Sequence, residues 1–142
     1  AQEQLQHRLY EKAIETYSRA RTVSKNTILF ADEVGLLYLS LQEYEKAANE
    51  YIRMLKQKPD NLSFVQARLN SVASRPEALK AFSAVLSSAV HSAPENVPLL
   101  RLLVWIQLQS NQPLAAFETT KQIDKLEKRN GSEILQFAQR LA

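Results

Sequence analysis

The sequence predicts an all-α protein, a short solenoid of stacked helical hairpins with about seven to eight helices. Three observations carry that prediction. Tyr10-Glu11-Lys12-Ala13 leading to Tyr17 returns 34 positions later as Tyr44-Glu45-Lys46-Ala47 leading to Tyr51, with Arg19 and Arg53 in step. Glycine is scarce, at 2, and all 5 prolines stand where a helix could begin or end. No alternating polar and apolar segment is bounded by a hairpin dipeptide, because the one Asn-Gly, at Asn130, follows a helical run. A period of this length implies stacking, since one two-helix unit cannot bury its apolar faces alone.

From Glu3 to Val23 apolar residues recur at Leu5, Leu9, Ala13, Ile14, Tyr17 and Ala20, one face of a helix. A break is expected near His7 to Tyr10, making residues 1–26 a truncated first repeat. Ser24-Lys25-Asn26-Thr27 is a turn cluster, with Asn26 or Thr27 placed to cap a helix starting at about Ile28. That helix carries Ala31, Val34, Leu37, Tyr38 and Leu41, with Gly35 inside it. A mid-helix glycine costs about 1 kcal/mol relative to alanine, so a partner backbone is expected to pass close to position 35. After a link at 40–43, Tyr44 to Lys58 forms the partner helix, burying Ala47, Ala48, Tyr51 and Leu55, and Pro59 stops it.

Val34, Gly35, Tyr38, Ala47, Tyr51 and Pro59 stand at offsets that resemble the tetratricopeptide repeat. The resemblance implies a 34-residue helix-turn-helix, with Gly35 and Ala47 facing each other and Pro59 turning the chain into the next unit. It covers nearly the whole chain, and residues 27–61 match it best.

Residues 62–96 read as a degenerate repeat: Leu62, Val65, Leu69 and Val72 follow an Asp60-Asn61 cap, and Leu69 stands where Gly35 stands above, so the helices should sit further apart. One inserted residue falls in the link from Ala73 to Pro76, before a helix from Glu77 to Ser92 with Ala78, Phe82 and Leu86 inward. Residues 97–131 form a second degenerate repeat. Asn96 caps it, and Pro98 sits in the first turn, which has no use for that amide hydrogen. Leu99 to Gln109 is apolar nearly all round and should pack on more than one side. Pro113 to Arg129 is its partner, with Gly131 as a left-handed terminator. Residues 132–142, with Ile134, Leu135, Phe137, Ala138 and Leu141, cover the open end or begin another repeat.

The same residues offer little chemistry. His7 and His91 have no second histidine at metal-ligand spacing, the two glycines are 96 residues apart, too far for a phosphate-cradling loop, and cysteine is absent. No catalytic residue, cofactor or metal is therefore expected, and the chain is not expected to be an enzyme. A net charge of +3 is too small to imply nucleic acid, and Lys121, Lys125, Lys128 and Arg129 suit the negative end of a helix. Asn61-Leu62-Ser63 and Asn130-Gly131-Ser132 are glycan acceptor sequences that helix capping also explains. No apolar run is long enough to span a membrane. The polar Ala1-Gln2-Glu3 opening and the missing cysteine lean toward an exported bacterial protein, periplasmic or in the cell envelope, with its leader removed; a cytoplasmic one is the alternative.

What remains is a surface. In tetratricopeptide proteins the first helix of each hairpin lines a concave groove that receives a peptide. Carried over position by position, the resemblance assigns to it Asp32, Leu36 and Leu39, then Gln66 and Asn70, then Arg101, Trp105 and Gln109. Relatives that grip a terminal carboxylate place Lys and Asn there, whereas here only Asn70 and Arg101 look similar. The expectation is a right-handed solenoid that binds a protein or peptide segment in this groove. The alternative is a structural or assembly subunit, self-associating through its repeat ends into a homo-oligomer. Solvent-facing Leu36 and Trp105 would favour the groove.

Overall fold

The computed structural model describes residues 2–127 and 139–140, and among these every regular element is helical. Seven α-helices follow in order: α1 (Gln2–Ser24), α2 (Ala31–Ser40), α3 (Tyr44–Gln57), α4 (Leu62–Asn70), α5 (Pro76–Ser92), α6 (Val97–Gln109) and α7 (Pro113–Glu127). A 3-10 turn at Pro59–Asn61 separates α3 from α4. The expected segment 132–142 lies, apart from 139–140, outside the described residues, as do Lys128, Arg129 and Gly131.

Helix α1 is continuous over 23 residues, without the break expected near His7 to Tyr10. Nothing at that place breaks a helix: the stretch holds no Gly or Pro, and His7 Nδ1 lies 2.6 Å from the Glu11 carboxylate one turn on. No residue of α1 is buried. Its attachment is at the C-terminal end, where the Tyr17 ring meets Phe30 at 4.8 Å and Arg21 reaches the Leu29 carbonyl and Glu50.

Helix α2 starts three residues later than expected. The Asn26 side chain accepts from the Ile28 amide, forming a local turn instead of a helix cap, and Phe30 at the helix boundary takes a left-handed φ of 60°. A bulky residue rarely holds that conformation, and here the Tyr17 ring packs on it. Asn61 likewise makes no side-chain cap on α4. The Asn96 cap does form, its Oδ1 accepting from the Leu99 amide at 3.1 Å.

Helices α2 and α3 pack closely, as do α6 and α7, and both pairs turn the same way. In the first, Gln42 has φ 60° and the Glu43 amide donates to the Tyr38 carbonyl at 2.9 Å; in the second, Asn111 has φ 59° and the Gln112 amide donates to the Gln107 carbonyl at 2.8 Å. This left-handed C-terminal turn satisfies carbonyls that the helix leaves open. Helix α4 lacks it and unwinds through short-range bonds from Ser71 to Arg75. Accordingly α4 and α5 scarcely touch, as the Leu69 substitution for a glycine foretold; α5 packs instead on α3 and α6.

The core runs through these contacts. Tyr51, Leu55, Val65, Phe82, Leu86, Leu99, Leu102 and Ile106 are essentially inaccessible. Burying a large aliphatic or aromatic side chain stabilises by about 1.5–3 kcal/mol, which explains why α6 supplies five buried residues: α3, α4, α5 and α7 all pack around it.

Candidate functional site

Gly35 and Tyr51 define the α2–α3 contact. A Cβ on Gly35 would lie 2.6 Å from Cε2 and Cζ of the Tyr51 ring, so the close neighbour is a side chain and not the partner backbone expected from sequence. The nearest atoms to position 35 all belong to Tyr51 and none to Ala47.

From that buried ring a polar chain leads to the surface. The Tyr51 hydroxyl donates to Asp32 Oδ1 at 2.9 Å, and Asp32 takes two parallel bonds, at 2.8 Å each, from Nε and Nη2 of Arg68 on α4. Burial first, then the hydrogen bond to Asp32 and its negative charge, push the Tyr51 phenol far above its usual range. The same carboxylate, chiefly through its hydrogen bond, raises Arg68. Two-pronged guanidinium–carboxylate pairing fixes geometry as well as charge, so it sets α4 beside α2. Arg68 also lies over the Phe64 ring, 4.8 Å from its centre.

The sequence-derived candidates divide among different surroundings. Leu39 is buried in the core at 8% exposure, so it cannot receive a ligand; the α2 stripe turns it toward the other helices. Asp32 is half-buried and committed to Arg68 and Tyr51. Arg101 is bonded to Glu127 of α7. Gln66 is half-buried, and Asn70 and Gln109 are exposed. Trp105 is half-buried and packs on the core, so it is both a core residue and a surface residue. Leu36 is open at 39%.

Two residues at this site were missed from sequence. Phe64, also 39% exposed, stands 34 positions after Phe30, a recurrence that could have revealed it. Arg68 gave no signal, because its partner Asp32 lies 36 residues away in a different helix.

Elsewhere, an open hollow of about 480 Å³ between α3 and α5 is lined by Asn49, Arg53, Lys56, Ser88 and Ser92, and none of the candidates borders it. Among the described residues no group of three or more His, Asp or Glu could hold a metal ion, and no helix is long and apolar enough to cross a membrane. Lys121 is bonded to Glu118 and lies over the Phe117 ring. Comparison with protein-family models, with curated proteins and with solved structures finds no match.

Proposed function

We propose that the chain is a short right-handed solenoid of tetratricopeptide-like hairpins and acts as a protein-interaction module, receiving a peptide or protein segment along the face of α2, α4 and α6. One observation carries this reading. Leu36 and Phe64, on successive first helices, are both large, apolar and 39% exposed, while the Asp32–Arg68 pair beside them holds their helices in place. Apolar side chains held on a rigid scaffold cost little to desolvate and lose little entropy on binding, which is what an anchor site requires. Half-buried Trp105 extends the face onto α6.

The test is binding by the chain carrying Leu36→Lys and Phe64→Lys, shown by circular dichroism to stay folded. A partner retained by wild type and released by the folded variant supports the reading; a partner set unchanged by the variant rejects it. The second reading, an assembly subunit, is favoured by a different observation: α1 buries none of its residues.

A further inference from the structure

The hollow between α3 and α5 is polar at its rim and apolar at its floor. Asn49, Arg53 and Lys56 of α3 and Ser88 and Ser92 of α5 line it, above Ile52 and Val85. On each helix these positions recur at intervals of three and four, so each set forms one stripe. None of the lining residues is acidic. Glu50, the carboxylate that Arg53 engages, has a side chain only 8% exposed, and its Oε1 takes Arg21 at 2.9 Å and Arg53 at 3.4 Å. Arg53 is thus left with donors to spare on a side chain that is 43% open. Asn49, Lys56, Ser88 and Ser92 are exposed, and none of them makes a hydrogen bond or ion pair among the described residues. Other helical hydroxyls of this chain behave differently: those of Thr22, Ser40 and Thr119 bond back to the carbonyl four residues earlier. A solvated helix end accounts for Lys56, in the last turn of α3, but for neither Arg53 nor the two free hydroxyls.

We infer that this hollow binds a phosphoserine or phosphothreonine of a partner polypeptide, with the neighbouring residues of that segment lying along the floor. Charge selects the group. Arg53 and Lys56 supply two positive charges to a lining that holds no acid, and a phosphate monoester carries about −1.5 to −2 at neutral pH. The number of acceptors selects it too. A carboxylate's two oxygens are satisfied by the guanidinium fork alone, whereas the three terminal oxygens of a phosphate leave acceptors for Lys56 and for the hydroxyls of Ser88 and Ser92. Length selects a peptide: from Asn49 to Lys56 the helix rises about 10 Å, which an extended chain covers in about three residues. The floor of Ile52 and Val85 gives the flanking side chains an apolar seat that inorganic phosphate would leave empty. Two cations are too few for the repeated phosphates of a nucleic acid. Leu36, Phe64 and Trp105 do not border the hollow, so this is a second site, independent of the groove.

The test is an NMR titration of the isotope-labelled chain with the peptide Ala-Leu-pSer-Leu-Ala, blocked at both ends. It is compared with the unphosphorylated peptide, the same peptide with glutamate for phosphoserine, inorganic phosphate, and vesicles of phosphatidylcholine and phosphatidylserine. The phosphopeptide is expected to move the amide signals of residues 49–56 and 85–92. Its affinity is expected to exceed that of every other probe by at least about tenfold, the value of one charge-assisted bond. Ser88→Asp sets a negative charge in the hollow without touching an ion pair and is expected to weaken phosphopeptide binding at least about tenfold. Arg53→Gln with Lys56→Gln is expected to do the same; should the loss of Arg53 disturb Glu50, Ser88→Asp decides. Unmoved signals, equal affinity for the glutamate peptide or for inorganic phosphate, preference for the vesicles, or unchanged binding by Ser88→Asp would each overturn the inference.

Discussion

The ring of Tyr51 occupies the space that a side chain at Gly35 would need, with Cε2 and Cζ 2.6 Å from the position of a Cβ. The ring is wholly buried and cannot swing away. Gly35→Ala is therefore expected to destabilise by about 1–3 kcal/mol through overpacking, although alanine is the better helix former by about 1 kcal/mol. Urea unfolding measures it. In a Tyr51→Leu background the same change should be neutral or stabilising; an equal cost in both backgrounds would contradict the contact.

The raised Tyr51 phenol makes stability depend on alkaline pH. The folded chain keeps a proton that the unfolded chain releases above about pH 10, so the contribution is complete below pH 10 and is lost as pH rises beyond it. Tyr51→Phe should flatten the alkaline fall in melting temperature while costing about 1 kcal/mol at pH 7 for the lost bond to Asp32. An unaltered alkaline slope in that variant would show that the phenol is not held in this way.

Glu50 and Arg21 join α3 to α1 at 2.9 Å with little exposure, 8% and 14% of their side chains. Removing one partner strands the other charge, so Glu50→Ala is expected to cost about 3–5 kcal/mol. The pair Glu50→Met with Arg21→Met should recover most of that, because two apolar side chains leave no stranded charge. Chemical denaturation of the single and double variants decides it, and a double variant as unstable as Glu50→Ala would contradict the account.

Asp32 holds α4 beside α2 through Arg68. Since the Arg68 side chain is 38% exposed, solvent screens much of this pair, and Arg68→Ala is expected to cost only about 1 kcal/mol of global stability. Its larger effect should be local, with faster amide exchange in α4 than in α2 or α3. Uniform acceleration across all three helices would mean that the pair serves global stability and not the placement of α4.

How much of this was legible in sequence follows the range of the interactions. Helix existence was readable because apolar spacing and proline are local, and the Asn96 cap and the breadth of α6 burial came out as read. The significance of Gly35 was readable because a glycine inside a helix requires a neighbour, though whether ring or backbone was not. The continuity of α1 and the start of α2 were misjudged for opposite reasons. A break was expected in α1 from alignment with the later unit, where no residue enforces one; α2 was expected to begin at a polar cap, yet Phe30 sets its boundary through contact with Tyr17. Among the groove candidates, Leu36 is exposed and Leu39 is buried, and the Asp32–Arg68 bond escaped notice because it depends on how separate helices pack.

The central claim, an apolar interaction face on the first helices, is tested most directly by affinity capture from native extract. Wild-type chain is compared with the folded Leu36→Lys, Phe64→Lys variant, and the fluorescence of Trp105, the chain's one tryptophan, reports whether the captured partner seats beside α6. The account predicts a partner that is held by wild type, shifts the Trp105 emission and is lost from the variant. A partner held equally by both, with Trp105 emission unchanged, would contradict it.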